Sequence, residues 1–364
     1  MASTQEKIKD VEEEIKRTPY NKATQHHIGK LKAKLAKLHE ESERSSGGAS
    51  GISYAVKKSG DATVVLVGFP SVGKSTLLNK LTNADSLVGT YDFTTLDVIP
   101  GAMEYKGARI QILDVPGLIE GASSGKGKGR EVISVVRNAD LILILLDVFN
   151  LQQLDVVQRE LQKAGIRVNK KPPEVKIKKT GKGGLTIGST VPLTKIDAET
   201  IKAVLSEYRV NNAEVLLRED VSVDELIDSI AKNRVYIKAL LVVNKADLAT
   251  KEQLATATEK IQKPLLISAE EGLNLDLLKE EMYRALEFIH VYMKPQGGEA
   301  DLEEPLIMKK GSTVEDVCGR LHKDFKRRFR FARIWGGSVR FEGQRVGLNR
   351  VLKDGDILSL VLEK

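Results

Sequence analysis

Apolar residues near the start of the chain recur at spacings of three and four: Ile8, Val11 and Ile15, then Ile28, Leu31, Leu35 and Leu38. That is the period of a helix burying one face. Thr18-Pro19-Tyr20-Asn21 separates the two runs, and Pro19 both restricts the residue before it and lacks an amide donor. The spacing predicts a helical hairpin. Residues 45–53, rich in Ser and Gly, read as a linker. From Ala62 onward short β-branched runs alternate with helical stretches, the pattern of a parallel sheet covered by helices. Apolar strands are predicted at 64–67, 110–113, 141–146, 240–243 and 265–267, with a helix over 75–81. Each strand ends at a polar or Gly-containing turn, where open α/β sheets place their ligands.

Between Leu146 and Leu240 lies more chain than one strand-helix step needs. Runs at 175–177 and 185–187 flank the glycine-rich Thr180-Gly181-Lys182-Gly183-Gly184, which predicts a two-stranded hairpin, and helices follow over 201–208 and 223–230. This reads as an inserted α+β subdomain over about 166–236. After Pro305 the pattern predicts a strand at 306–308, a helix over 314–321 and strands at 332–335, 339–341 and 357–362, a small β-rich fold with one helix.

The 364 residues, 41% apolar and 29% charged, suit a folded protein of two to four compact units. The single cysteine, Cys318, excludes an intramolecular disulfide scaffold, and no Cys/His cluster has zinc-ligand spacing. The longest aliphatic run, 141–146, falls far short of the roughly 20 residues a membrane span requires, and the charged N-terminus does not read as a signal peptide. The expectation is a cytoplasmic protein with no membrane partner. From Pro305 to Lys364 there are 14 Lys/Arg against 7 Asp/Glu, which accounts for the whole net charge of +7. Positive charge gathered at one end points to a module that meets a polyanion, and nucleic acid is the first candidate.

Three motifs carry chemistry. Gly68-Phe69-Pro70-Ser71-Val72-Gly73-Lys74-Ser75 satisfies G-x-x-x-x-G-K-[ST] between a predicted strand and a predicted helix that continues with Thr76, the context that gives this motif meaning. Its glycines let backbone amides fold round a phosphate, and the helix N-terminus adds positive potential. Lys74 is expected on the β- and γ-phosphates and Ser75 on Mg²⁺. Asp114-Val115-Pro116-Gly117 closes a second strand, where such folds place a carboxylate that holds Mg²⁺; Gly117, lacking a Cβ, can bring its amide close to a γ-phosphate. Asn244-Lys245-Ala246-Asp247 ends a third strand. Asp247 can accept from the ring N–H and the exocyclic amine of guanine, whereas adenine presents a bare ring nitrogen there, so GTP is selected over ATP. Ser268-Ala269, after a fourth strand, is expected to contact the guanine carbonyl through the backbone.

With Tyr91-Asp92-Phe93-Thr94-Thr95-Leu96 and Gly117-Leu118-Ile119-Glu120-Gly121-Ala122 followed by Gly125-Lys126-Gly127-Lys128-Gly129-Arg130, the chain resembles the developmentally regulated GTP-binding proteins of the Obg-like branch of translation-factor-related GTPases. The resemblance covers essentially the full length. It implies an α/β P-loop GTPase with a doubly wound sheet over 60–290, a helix-turn-helix-like region over 1–50, an insertion at 166–236 like the second domain of ribosomal protein S5, and a C-terminal TGS domain of β-grasp type over 291–364. It implies that the two segments just quoted are switch I and switch II, and that Thr95 binds Mg²⁺ in the GTP state. It also implies a ribosomal or ribosomal-RNA partner and a dedicated regulatory protein in eukaryotes.

Leu118 stands where small signalling GTPases place a glutamine that orients water. Leucine cannot hydrogen-bond the nucleophile, so intrinsic hydrolysis to GDP and phosphate is expected to be slow. Lys74, Thr95 and Gly117 remain the residues expected to act on the terminal phosphate. Ser71 occupies the position where some relatives use an asparagine to hold a monovalent cation, and modest stimulation by K⁺ is expected. A macromolecular activator, first of all the ribosome, is the other route.

In the last sixty residues Lys323, Lys326, Arg327, Arg328, Arg330 and Arg333 surround Phe325, Phe329, Phe331 and Trp335, cations for phosphates and rings for stacking or for a core. Lys176, Lys178, Lys179 and Lys182 in the insertion can extend such a surface. Lys30, Lys32, Lys34 and Lys37, near His26 and His27, read either as a solvated face or as an anion contact. Two functional readings stand: a GTP-hydrolysing switch acting with the ribosome, and an RNA-binding scaffold whose nucleotide site is structural. An ATP-driven RNA remodelling enzyme would share the P-loop but not Asn244-Lys245-Ala246-Asp247.

Overall fold

In a computed structural model of the chain, residues 4–19, 21, 24–45, 60–82, 99–115, 129–231 and 233–363 are described. The expected switch I (91–96), with Thr95, and most of the expected switch II, with Gly117 and Leu118, lie outside them. The chain opens with helices α1 (Thr4–Arg17) and α2 (Gln25–Ser45), then runs through β1 (Ala62–Val67), α3 (Lys74–Leu81), β2 (Ile99–Tyr105), β3 (Ala108–Asp114), α4 (Gly129–Arg137), β4 (Leu141–Asp147) and α5 (Gln153–Lys163). The inserted stretch contributes β5 (Ile166–Val168), β6 (Val175–Lys179), β7 (Leu185–Ser189), α6 (Ala198–Glu207), β8 (Ala213–Leu217) and α7 (Val223–Ala231). There follow β9 (Val235–Asn244), a short 3₁₀ turn at Ala246–Leu248, α8 (Lys251–Lys260), β10 (Leu265–Leu266), α9 (Leu275–Leu286) and β11 (Phe288–Met293). The last elements are β12 (Leu306–Lys309), α10 (Val314–Leu321), β13 (Phe329–Trp335), β14 (Gln344–Val346) and β15 (Asp356–Leu362).

Two compact units result, one from the described residues of Met1–Tyr54, Glu120–Arg130 and Gln158–Ile237, the other from those of Ala55–Ile119, Glu131–Val157 and Lys238–Lys364. The second is built on a sheet in the order β10-β9-β4-β1-β3-β2. All but β2 run parallel, so each parallel strand finishes at the same edge. β1 and β4 are buried at every position, which explains their unbroken apolar sequences: a strand covered on both faces has no polar side.

The same unit carries a five-stranded sheet, order β12-β11-β15-β13-β14, whose core of Val291, Val314, Val317, Ala332, Ile334 and Leu358 packs under α10. The strand expected at 339–341 is a bend; the chain turns there and pairs as β14 against β13. Lys309 pairs with Asp140 and Arg320 with Asp61, fixing this sheet near residues that precede β4 and β1.

In the first unit the expected hairpin of 175–177 with 185–187 does not form. β8 lies between them, antiparallel to β6 and parallel to β7. Ala213, Val215 and Leu217 of β8 share an inner face with Val175, Ile177, Leu185 and Ile187 over α6 and α7, and a central strand with that apolar alternation displaces direct pairing of the two lysine- and threonine-bearing strands, whose composition suits an edge. Ala33 of α2 joins the same core, so the N-terminal helices and the insertion fold together although more than a hundred residues separate them in sequence. Lys32 binds Asp224 at 2.7 Å, and the Lys37 ammonium donates to the Glu207 carbonyl at 3.4 Å. Two of the four helix lysines are therefore spent inside the unit, while Lys30 and Lys34 are exposed.

Candidate functional site

The ends of β1, β3, β4, β9 and β10 share the carboxyl edge of the parallel sheet. After β1 the backbone passes through left-handed conformations at Ser71 (φ 62°) and Gly73 (φ 92°) before α3 begins. Gly73 is the helix N-cap, so no side chain occupies the amides of the first turn. A Cβ on Gly73 would lie 2.3 Å from Asn244 Nδ2, and one on Gly68 would lie 2.4 Å from the Leu145 carbonyl oxygen. Both glycines are demanded by the approach of neighbouring strands as much as by any ligand.

Asn244 is the tie that holds the edge together. Its Nδ2 donates to the Val72 carbonyl at 2.9 Å, and its Oδ1 accepts from the Ala269 amide at 2.8 Å, so one buried side chain joins the glycine-rich loop, the end of β9 and the turn after β10. The Ala269 amide, expected at the base carbonyl, is thus donated to Asn244. Ser268 is buried and its Oγ accepts from the Glu271 amide at 3.1 Å. Lys245 adopts φ 65°, and its ammonium binds Asp147 Oδ2 at 2.6 Å. Asp147 Oδ1 accepts from the Phe149 amide at 2.9 Å. Asp247 lies in the following 3₁₀ turn with its side chain exposed. Neither the bridging role of Asn244 nor Asp147 emerged from the motifs; the terminal aspartate of the apolar run 141–147 was the one sequence signal for the latter.

Lys74 donates to the carbonyls of Gly68 at 3.1 Å and Phe69 at 3.0 Å, folded back over its own loop. Burial pulls its pKa below the ordinary lysine value, and the nearby Asp114 carboxylate opposes that. Asp114, at the end of β3, is only 7% exposed. Its Oδ2 accepts from Ser75 Oγ at 2.7 Å, while its Oδ1 is buried with no hydrogen-bond partner among the described residues. An unmatched buried carboxylate oxygen costs free energy unless a ligand meets it. The donor set also suits Mg²⁺, a hard cation usually held by one or two protein oxygens together with phosphates and water. No cluster of three or more His, Cys, Asp or Glu able to hold a metal occurs among the described residues. Pro70 and Ser71 are exposed on the loop, Val72 is buried, and Thr76 follows Ser75 on α3.

Comparison with known proteins gives concordant matches along the chain. The family model described as 50S ribosome-binding GTPase matches residues 63–179, a model of the C-terminal region of that domain matches 182–288, and the TGS domain model matches 289–362. An uncharacterized GTP-binding protein of Methanocaldococcus jannaschii is 58% identical, covering 99% of this chain and 93% of its own. Developmentally-regulated G-protein 3 of Arabidopsis thaliana is 45% identical over 99% of each. Ribosome-interacting GTPase 1 of Saccharomyces cerevisiae is 45% identical, covering 99% of this chain and all of that protein. No helix among the described residues is long and apolar enough to cross a membrane.

Proposed function

The chain belongs to the family of P-loop GTP-binding proteins carrying a C-terminal TGS domain, and from that premise we propose that it binds GTP at the Asn244-tied edge, hydrolyses it slowly to GDP and phosphate, and acts as a cytoplasmic switch on the ribosome. Within the family we assign it to the developmentally regulated GTP-binding proteins, on the full-length likeness to a protein of that name. The observation that supports the reading is the Asn244 bridge from Val72 to Ala269, which joins the glycine-rich loop expected at phosphate to the strand end expected at guanine.

Gly68, Pro70, Ser71, Val72, Gly73 and Thr76 provide the loop and helix start round the phosphates. Lys74 exchanges its two carbonyl acceptors for phosphate oxygens. Its depressed pKa makes a nearby anion more valuable, since phosphate charge favours the ammonium form. Asp247 reads the guanine edge, Lys245 is held beside it by Asp147, and Ser268 and Ala269 line the turn behind. Asp114 and Ser75 would hold Mg²⁺, with Thr95 completing the set in the GTP state; the ion supplies neutralisation of charge on the β- and γ-phosphates. Gly117 is assigned to the terminal phosphate. With Leu118 unable to orient water, turnover depends on an external activator, and Ser71 is the loop hydroxyl through which K⁺ gives modest stimulation. A dedicated regulatory protein is a further expected partner.

Multiple-turnover phosphate release with and without ribosomes tests this. Slow release is expected from the protein alone, with a rise on adding ribosomes and a smaller rise when K⁺ replaces Na⁺. GTP bound but never turned over, with or without ribosomes, would instead make the nucleotide site structural and the protein an RNA-binding scaffold.

A further inference from the structure

The three-stranded sheet of the insertion has two edges, and they are finished differently. β6 reads Val175-Lys176-Ile177-Lys178-Lys179, and lysines along an edge strand discourage pairing with another chain. β7 reads Leu185-Thr186-Ile187-Gly188-Ser189 and carries no charge. Among the described residues no strand lies on its outer side. The glycines that lead into it, Gly181, Gly183 and Gly184, have open space where a Cβ would stand, so nothing crowds the approach to this edge.

Hydrogen bonds at the two ends of β7 establish which backbone groups face outward. The Ala213 amide donates to the Gly184 carbonyl at 3.0 Å, and the Thr190 amide donates to the Leu217 carbonyl at 3.0 Å. Alternate residues of a parallel strand bond to one neighbour, so Gly184, Thr186, Gly188 and Thr190 turn their backbone toward β8. The amides and carbonyls of Leu185, Ile187 and Ser189 point out of the sheet, a row of alternating donors and acceptors. The side chains of Leu185 and Ile187 stay on the core beneath, so that row can be met without unpacking anything. An antiparallel strand exchanges both bonds with every second residue opposite it. Phosphates accept but do not donate, and would leave the carbonyls unmet.

Charge selects the partner. Residues 170–182 hold six lysines against a single acid, Glu174. Of those lysines only Lys178 has a carboxylate within ion-pair reach among the described residues, Glu214 at 3.7 Å. Lys182 is exposed in the turn that opens β7. Lys176 and Lys178, alternating with the core residues Val175 and Ile177, stand on the outer face of β6, two strand spacings from β7. That is roughly 10 Å, about one Debye length at physiological salt. Self-pairing of two β7 strands would bring two such basic stretches together; an acidic strand meets the same edge with attraction. We propose that β7 receives an extended acidic segment of a partner protein as a fourth strand, antiparallel to β7, with its backbone on Leu185, Ile187 and Ser189 and its carboxylates toward Lys182, Lys176 and Lys178.

The full chain, without nucleotide or ribosomes, is titrated with a short fluorescent peptide alternating Val and Glu. Its controls are the same peptide N-methylated along its centre, which keeps the charge and cannot pair as a strand, and a counterpart with Lys in place of Glu. The acidic peptide is expected to bind about tenfold or more tighter than either control, as the loss of several backbone bonds implies. It should also slow hydrogen exchange at the amides of Leu185, Ile187 and Ser189. Ser189→Pro removes one outward amide and should weaken binding about two- to tenfold, the range for one net hydrogen bond, whereas Ser189→Ala keeps that amide and should bind as the unaltered protein does. Lys182→Glu, an exposed change, should weaken binding about threefold and reduce its sensitivity to salt. Equal binding of the N-methylated peptide, unaltered binding by Ser189→Pro, protection of the same amides by an unstructured RNA instead, or dimerisation of the protein alone that protects them would each overturn the proposal.

Discussion

Asp114 and Asp228 are both 7% exposed, yet their surroundings differ in kind. Asp228, in the unit built from the N-terminal helices and the insertion, accepts from Arg167 Nε at 2.6 Å, Arg167 Nη2 at 2.7 Å and Arg234 Nε at 2.9 Å. Both its oxygens are engaged and its charge is more than balanced. Asp114, at the sheet edge of the other unit, has one oxygen on the Ser75 hydroxyl and the other without a partner among the described residues. Equal burial with unequal satisfaction distinguishes a carboxylate that ties the fold together from the one we propose to meet a ligand.

Substitution turns that contrast into measurements. Asp228→Ala strands the buried Arg167 and the partly buried Arg234, and breaking one side of a buried ion pair costs about 3–5 kcal/mol; urea unfolding should show that loss. Asp114→Asn should shift the same unfolding curve by no more than about 1 kcal/mol while weakening Mg²⁺-dependent nucleotide binding about 10- to 100-fold, the range seen when the groups orienting a metal's surroundings are lost. A destabilisation by Asp114→Asn as large as that of Asp228→Ala would erase the distinction.

Lys74 makes the same sheet edge sensitive to pH. Its folded pKa is depressed by burial, so it loses its proton at a lower pH than an exposed lysine, and phosphate binding pulls the proton back. Calorimetry in buffers of different ionisation enthalpy should show proton uptake on nucleotide binding as pH rises through that depressed value, with affinity falling in the same direction. Proton release would contradict the placement of Lys74 at phosphate. At the small end stands Lys178 with Glu214, 3.7 Å apart with side chains 79% and 62% exposed. Lys178→Ala should cost under about 1 kcal/mol.

Much of the carboxyl edge of the parallel sheet was readable because its chemistry is local. The spacing from Gly68 to Ser75 dictates the loop without reference to anything distant, and the apolar runs of β1 and β4 announce strands buried on both faces. What escaped depends on partners far along the chain. Asn244 reaches Val72 across 172 positions, and no local pattern states that its two amide atoms will join two turns. Likewise 175–177 and 185–187 carry the alternation of a hairpin with a glycine-rich turn between them, yet β8, more than twenty residues later, supplies the better inner face and takes the place between them. On β13 the alternation separates Phe331 and Trp335 from Ala332 and Ile334, but which set faces the core is decided only when α10 covers one side.

The most direct test is competition for a fluorescent guanine nucleotide bound in the presence of Mg²⁺. GTP and GDP should displace it while ATP in thousandfold excess does not, and Asp247→Ala should bring the two purines close to parity. Displacement by ATP as readily as by GTP, or no bound nucleotide at all, would contradict the claim that the Asn244-tied edge is a guanine nucleotide site.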